Sequence, residues 1–219
     1  MNTPEHEVVD LFSQISAEAE KLYDPHLPYH NFDHARAALQ NAEVTIIACQ
    51  AEGIPIDAQV VRLAVVFHDA GFSQDAIALG FASKEAYAAS LAETALQQHG
   101  LETRVIQRVK QAILATHRDA TFTTNEEKAV RAADIGHMAG PYEVFVENNR
   151  HLKAEAELLS GKSISWASWK IGTKQIVEWY LGQDIYLTTR HDDARGYSNF
   201  HTRARANLER LLTDDDITD

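Results

Sequence analysis

Apolar residues recur at helical spacing along almost the whole chain, and this periodicity constrains the fold more than any other feature. Within 102–117 they fall three and four residues apart, at Val105, Ile106, Val109, Ile113 and Leu114. Residues so spaced lie on one face of an α-helix, where they can pack against a core. The apolar run 63–70 is short enough for a buried strand, but no partner strand is visible on either side of it. The sequence therefore predicts an all-α protein, a single helical bundle.

Start and stop signals divide this pattern into separate helices. Asp57 and the Thr124/Glu127 pair are residue types that cap a helix N-terminus, and Pro141 can begin another helix. The helices expected from pattern and signals are 31–51, one from 57, 83–99, 102–117, one from 124, 141–158, 166–182 and 201–212. We expect one domain over residues 1–219, with a core at about 29–182 and C-terminal helices that continue to 212.

Length and charge limit the function classes. The chain has 219 residues and a formal net charge of −12, and a length of this order fits one domain with a substantial core. The average negative field repels a polyanion such as DNA, so a nucleic-acid binder is disfavoured. A small phosphate ester stays compatible with this charge if its site supplies a cation.

Cysteine usage and hydropathy limit the compartment. The single cysteine, Cys49, excludes an intramolecular disulfide framework and a multi-cysteine zinc site, and its apolar neighbours predict a buried thiol in a helix. No apolar run reaches the roughly 18 residues of a membrane span. The acidic N-terminus lacks the charged-then-apolar pattern of a signal peptide. We expect a cytoplasmic protein without a membrane partner.

Histidine or aspartate residues end or interrupt several otherwise apolar helices. His68 and Asp69 are adjacent at the end of the most apolar one, where ionisable groups need a partner because their burial costs free energy. Asp134 in a second helix has an ordinary alternative explanation, which is an ion pair with Arg131. His117 at the end of a third helix is equally explained as a capping residue that the helix macrodipole favours.

A bound metal ion accounts for these residues together. His34, His68, Asp69 and Asp134 offer two imidazole nitrogens and two carboxylate oxygens. Structural zinc sites are usually tetrahedral and cysteine-rich, whereas this mixed set suits an octahedral ion with open positions, such as Mn, Fe, Co, Ni or Mg. His30 lies four residues before His34, a spacing that on a helix places both imidazoles on one face.

The order His…His-Asp…Asp on successive helices resembles the signature of the HD-domain superfamily of metal-dependent phosphohydrolases. Here it is His34, His68-Asp69 and Asp134. The stretch YHN-x-x-HA is similar to a motif of the cyclic-nucleotide phosphodiesterases in that superfamily, which implies that His34 binds metal and His30 is the general acid. Further segments in order resemble the bacterial group called predicted metal-dependent HD-superfamily phosphohydrolases: FHDAGF, ILATH, AADIG, VEWYLGQDIY and RARANLERLL.

The resemblance implies a phosphohydrolase that acts on a nucleotide or another small phosphate ester. Metal-activated water would attack phosphorus after deprotonation by Asp69 or Glu85, and His30 would protonate the leaving oxygen. One metal ion is expected, with His117 nearby as a second-shell residue or a second-site ligand.

Basic residues near these positions are candidates for binding the phosphate. Arg36, Lys84 and Arg118 are close in sequence to the expected ligands, although each is also explained as an ordinary solvated charge. The expected partner is a small phosphorylated molecule, and the apolar, aromatic late helix is compatible with a homodimer.

Two other functions stay open. A non-catalytic module could use the metal to staple the helices and sense a nucleotide, in which case His30 has no role. A di-iron oxygenase of the HD type needs further histidine ligands, for which His99 and His117 are the candidates. We expect His99 to cap a helix end and to face solvent.

Overall fold

The computed structural model describes residues 4–183, 185, 187–189 and 199–218, with side chains from residue 11 onward. Over these residues the chain forms nine α-helices and no strand, so the all-α prediction is confirmed. The helices are α1 (Pro4–Glu20), α2 (Phe32–Ala51), α3 (Ala58–Phe67), α4 (Lys84–Gln98), α5 (Thr103–Leu114), α6 (Asn125–Asp134), α7 (Tyr142–Ser160), α8 (Trp166–Leu181) and α9 (Asn199–Thr213). A 3-10 helix, Ile135–Ala139, follows α6.

The chain divides into two compact units, residues 1–134 and residues 135–219. The first unit contains α1 to α6 and all four expected metal ligands. The second contains the 3-10 helix and α7 to α9. That the whole chain acts as one domain stays a prediction.

Helix α3 lies at the centre of the first unit and contacts each of its other five helices. It is apolar on nearly every side, and all but three of its ten residues are buried. A helix that is hydrophobic all round must be covered all round. The short apolar run is therefore a core helix, and its C-terminal end delivers His68 and Asp69 into the interior.

Side-chain caps fix where the helices of the first unit begin. The Asp57 carboxylate accepts hydrogen bonds from the backbone N–H groups of Gln59 and Val60 at the start of α3. The Thr124 hydroxyl accepts from Glu127 N (3.2 Å), and the Glu127 carboxylate accepts from Thr124 N (3.3 Å). Both predicted caps are confirmed. The second of them begins α6, the helix that ends at Asp134.

Buried amides hold the second unit together. Asn207 of α9 donates to the carbonyl oxygens of Met138 and Gly140, at 2.9 and 3.0 Å. Asn149 of α7 accepts from Trp169 Nε1 and Thr173 Oγ1 of α8, at 3.1 and 3.0 Å. Because these side chains are removed from water, each satisfied hydrogen bond fixes the register of the helices it joins.

Two predictions drawn from composition can be compared with the described residues. Cys49 is a free thiol buried within α2, as predicted. Among the described helices, none combines the length and apolarity that crossing a bilayer requires.

Candidate metal centre

His68 lies in the turn directly after α3, and its own helix orients its ring. Nδ1 lies 2.7 Å from the carbonyl oxygen of Val65. A carbonyl oxygen only accepts, so Nδ1 carries the proton and donates it. In the neutral ring this leaves the lone pair on Nε2, which is the tautomer a metal ligand needs. The side chain is only 1% exposed, so the ring is held firmly in this orientation.

His34 lies in the first turn of α2, and Asn31 places it there. Asn31 is the N-cap residue, and its Oδ1 accepts from the backbone N–H groups of Asp33 and His34, at 2.9 and 3.4 Å. Its Nδ2 donates to Leu27 O at 2.9 Å, which ties the cap to the preceding loop. The expectation that His30 and His34 share a helix face is wrong, because α2 begins only after His30.

Asp134 is the last residue of α6, and the buried Arg131 lies one turn before it. Arg131 is 0% exposed, and its Nη1 lies 3.5 Å from Asp134 Oδ2. Its Nη2 donates to the carbonyl oxygens of Thr116 and His117 at 2.8 and 2.7 Å. The ion pair foreseen as the ordinary explanation of Asp134 is therefore present. It engages Oδ2, whereas Oδ1 faces the histidines.

The polar atoms of His34, His68 and Asp134 lie together, and Asp69 adjoins both imidazoles. His34 Nε2 and His68 Nε2 are 3.2 Å apart, and Asp134 Oδ1 is 3.3 Å from the first and 3.5 Å from the second. Asp69 Oδ2 lies 3.4 Å from His34 Nε2 and 3.0 Å from His68 Nε2. Residues that are far apart in the sequence therefore bring two imidazole nitrogens together, and each nitrogen has a carboxylate oxygen of Asp69 and one of Asp134 within 3.5 Å.

These separations fit a divalent ion. Ligands bound at about 2.1 Å lie about 3.0 Å apart at octahedral right angles and about 3.4 Å apart at tetrahedral angles. Four of the five separations lie between 3.0 and 3.4 Å, and the fifth, between His68 Nε2 and Asp134 Oδ1, is 3.5 Å. The ligand atoms of His34, His68 and Asp134 all lie within 4.8 Å of one another, so this group can hold a metal ion.

The four expected ligands shift one another's pKa values. Burial alone would lower the pKa of His34 and His68, but the carboxylates of Asp69 and Asp134 outweigh burial and raise both pKa values. Burial alone would raise the pKa of Asp69 and Asp134, but the adjacent imidazoles outweigh it and hold both pKa values well below their usual range. Two half-buried carboxylates at one place favour a nearby positive charge, which a dication can supply in place of imidazole protons.

His30 lies beside this cluster in the segment before α2. Its ring centroid is 6.0 Å from that of His34, and its charge contributes to the lowered pKa of Asp69. One face of the ring stacks on Phe72, with centroids 3.7 Å apart and planes inclined by 10°. The edge-to-face contact with Tyr29 has a centroid distance of 4.9 Å. A general-acid candidate therefore lies next to the metal ligands, although it is on no helix.

The remaining residues expected to contact substrate are spread along the first unit. Glu85 is half-buried in the first turn of α4. The Nζ atom of Lys84 lies 3.4 Å above the Phe72 ring. Arg36 is in ion pairs with Glu20 and Asp33, and Arg118 is exposed in the turn after α5. Their catalytic and substrate-binding roles stay predictions.

The two further histidines have other contacts. The explanation of His117 as a capping residue is wrong, because Ala115 is the C-cap residue of α5 and the His117 ring accepts a hydrogen bond from Asp119 N, beyond the helix, at 3.2 Å. His99 is the C-cap residue of α4, as predicted. The expectation that it faces solvent is wrong, because its side chain is 14% exposed and Nε2 lies 3.0 Å from Glu18 Oε2 of α1. Roles for either residue at a second metal stay predictions.

Sequence reasoning missed two residues that shape this centre. The buried Tyr23 hydroxyl donates to Val66 O at 3.1 Å and accepts from Asp69 N at 3.3 Å, so it braces the turn of the His-Asp pair. Phe72 covers one face of His30. Nothing in the sequence near Tyr23 signals its role. Phe72, by contrast, lies only three residues after Asp69 in the sequence, and this proximity indicates that its ring is close to the same site.

Comparison with known proteins adds no family. No protein-family model matches the sequence, and no curated protein matches it significantly.

Proposed function

We propose that this protein is a metal-dependent phosphohydrolase of the HD type that acts on a nucleotide or another small phosphate ester. The observation that carries the proposal is the convergence of His34, His68 and Asp134 within 4.8 Å, with Asp69 adjoining both imidazoles. A mixed nitrogen and carboxylate set of this kind suits Mn, Fe, Co, Ni or Mg.

The four residues would hold one divalent ion through His34 Nε2, His68 Nε2 and one oxygen each of Asp69 and Asp134. When bound, such an ion polarises a phosphoryl oxygen and lowers the pKa of water. Two carboxylates balance the charge of the dication, so a phosphate group can approach without strong repulsion. The Val65 carbonyl and the Arg131 guanidinium would keep the ligands in position, because partners of this kind orient metal-binding side chains.

Two proton transfers complete the reaction. As water attacks phosphorus, Asp69 or Glu85 takes its proton and a new P–O bond forms. As the bond to the leaving group breaks, His30 gives a proton to the departing oxygen. The location of His30 beside Asp69 and outside the ligand set supports this division of roles.

Charge favours a small substrate. The formal net charge of −12 repels extended polyanions, whereas one or two phosphate groups can be neutralised locally by the ion. Nucleotides and simple phosphate esters are therefore preferred over nucleic-acid polymers as substrates.

The test is phosphate release from a panel of nucleotides, cyclic nucleotides and simple phosphate esters. The protein is stripped with a chelator and reloaded with Mn, Co, Ni, Fe or Mg in turn. We expect metal-dependent release that Asp69→Ala abolishes and that His151→Ala, a control at an exposed histidine on α7, leaves unchanged. Stoichiometric metal binding without release from any ester would contradict the proposal.

His30→Ala separates the phosphohydrolase from the metal-stapled sensor. A hydrolase loses turnover and keeps its metal, because His30 is outside the ligand set. A sensor that only uses the ion to join helices keeps both its metal and its nucleotide affinity. The measurements are turnover, metal stoichiometry and nucleotide affinity on the same preparations.

A further inference from the structure

Phe72 lies between two basic side chains that come from different parts of the chain. Its ring is parallel to the His30 ring within 10°, at a centroid distance of 3.7 Å. The Lys84 Nζ atom lies 3.4 Å from the centroid of the same ring. An ammonium group at that distance in the plane of the ring would collide with its edge, so it lies over a face. The imidazole already occupies one face, and Lys84 therefore covers the other.

The turn that carries Phe72 is the turn that carries two metal ligands. Phe72 N donates to Asp69 O at 3.1 Å, which closes the turn immediately after His68 and Asp69. Gly71 N donates to Leu22 O at 2.9 Å, so the same turn is anchored to the segment that leads to His30. The position of the ring is thus tied to the position of the metal ligands.

We propose that Phe72 is a positioning residue for His30 and that Lys84 acts through it, as the cation that holds the ring in place. The proposal rests on the proposed function, because it takes His30 to be the proton donor. His30 precedes α2, and the parallel Phe72 ring at van der Waals distance restricts the rotation of its imidazole. A cation over an aromatic face is attracted by the ring quadrupole, which explains why Lys84 lies on Phe72.

The proposed role of Lys84 differs from the substrate-binding role expected from the sequence. A lysine that binds the substrate phosphate contributes to the affinity of every substrate. A lysine that holds Phe72 contributes only where the proton from His30 matters, which is when the leaving oxygen is a poor leaving group. The two roles therefore predict different kinetic patterns.

The first experiment uses aryl phosphate esters with phenyl, 4-nitrophenyl and 2,4-dinitrophenyl leaving groups, in the metal-loaded protein. For Phe72→Leu we expect kcat on the phenyl ester to fall by about 10- to 100-fold, since misplacing a catalytic group by an ångström has effects of this order. The loss should shrink to about 2-fold on the dinitrophenyl ester, which needs little protonation. Phe72→Tyr keeps the ring and should keep the activity.

Matched controls separate positioning from general damage. Phe81→Leu removes another aromatic ring of the same loop, one that contacts Tyr87 at a centroid distance of 5.0 Å, and should not change the leaving-group dependence. Lys84→Met should show the same leaving-group dependence as Phe72→Leu, with a smaller loss of kcat. Lys84→Arg keeps the cation and should restore the wild-type kinetics. An equal rise of KM for all three esters in Lys84→Met would overturn the assignment of Lys84.

A spectroscopic measurement tests the stack without turnover. The imidazole C–H protons of His30 lie over the Phe72 ring and should resonate upfield in NMR spectra, with Phe72→Leu abolishing the shift and Phe81→Leu leaving it. If the wild-type protein hydrolyses esters but the Phe72→Leu loss is equal for all leaving groups, or the His30 shift is absent, the positioning inference fails alone. If the wild-type protein hydrolyses no ester, the proposed function fails and the inference fails with it.

Discussion

At the scale of single residues, backbone carbonyl groups decide which atoms of the candidate centre are available. The Val65 carbonyl oxygen accepts a hydrogen bond from His68 Nδ1–H, which leaves the Nε2 lone pair available to bind an ion. Arg131 is anchored by carbonyl groups at the end of α5 and reaches one oxygen of Asp134. His68 and Asp134 are therefore oriented by groups that would never touch the metal.

The role of Arg131 can be tested by substitution. In Arg131→Met the carbonyl oxygens of Thr116 and His117 lose their buried hydrogen-bond donor, and Asp134 Oδ2 loses its ion-pair partner. We expect destabilisation of about 3 kcal/mol and, in protein that stays folded, a 10- to 100-fold weaker affinity for Mn²⁺. Calorimetric titration and denaturant unfolding measure both effects.

Two controls accompany Arg131→Met. Arg131→Lys keeps the charge without the planar fork and should recover only part of the metal affinity. Arg150→Met removes an exposed arginine that pairs with Glu147 on α7 and should change neither property. Unaltered Mn²⁺ affinity in folded Arg131→Met would contradict a role of Arg131 in orienting the Asp134 carboxylate.

Gly71 permits the turn between the His-Asp pair and Phe72. It has φ of +74°, and a Cβ atom there would lie 2.5 Å from Tyr87 Cε1 and 2.9 Å from Leu91 Cδ1. Gly80 has φ of +89° with nothing within 4 Å of such an atom. Gly80→Ala should cost about 1 kcal/mol for its backbone conformation alone, and Gly71→Ala should cost about 1–3 kcal/mol more because of the collision. Denaturant unfolding of both variants gives the difference, and equal losses would contradict the packing argument.

Cys49 should be inert in the native protein. Burial raises the pKa of its thiol to about 11, so the reactive thiolate is scarce at pH 8 and the sulfur is also covered. We expect slow modification by a disulfide reagent at pH 8 and rapid modification after unfolding in guanidinium chloride. Rapid modification of the native protein would mean that α2 opens frequently.

At the scale of helices, caps determine where the functional residues come to lie. The Thr124/Glu127 capping box begins α6, and Asp134 is the tenth and last residue of that helix. The Glu127 carboxylate also accepts hydrogen bonds from the backbone and the hydroxyl of Thr123. Because the cap fixes the residue at which α6 begins, it also fixes the position of Asp134 along the helix axis relative to the adjacent helices.

The capping box gives a prediction at this scale. Glu127→Ala removes the acceptor for the Thr123 and Thr124 N–H groups and should destabilise the protein by about 1 kcal/mol. Glu102→Ala is the matched control, since Glu102 occupies the N-cap position of α5 without making a side-chain capping bond. Thermal unfolding of the two variants provides the comparison, and equal effects would rule out a capping contribution from Glu127.

At the scale of the whole molecule, metal binding should be linked to stability. The four ligands come from α2, from the turn after α3 and from α6, so an ion bound to them stabilises only the folded chain. At a free Mn²⁺ concentration of 100 times Kd the stabilisation is about 2.7 kcal/mol, which raises Tm by roughly 5–10 °C for a chain of this size.

Thermal unfolding at increasing Mn²⁺ concentration measures this linkage. Asp134→Asn keeps the shape of the side chain and should lose the shift, whereas His151→Ala should keep it. A Tm that does not depend on Mn²⁺ or on any of the other candidate ions would contradict a metal site at this place.

Local patterns in the sequence were enough to determine the helices. Apolar spacing, the Asp57 cap and the Thr124/Glu127 box depend on residues three and four apart, so they can be recognised without knowledge of the fold. The four ligand candidates were less distinct one by one, since an ion pair with Arg131 also explained Asp134, and only the set as a whole indicated a metal site. Helix ends were predicted less accurately than helix positions. Helix α5, for example, ends at Leu114 and not at the predicted boundary at 117.

Only the tertiary structure decided how these residues meet. The separations among His34, His68 and Asp134 depend on packing between helices that are far apart in the chain. The placement of Lys84 on Phe72 and of His99 on Glu18 likewise depends on which surfaces come into contact. Sequence periodicity determines which face of a helix is buried, but the partner of that face is selected by long-range packing, which no local pattern records.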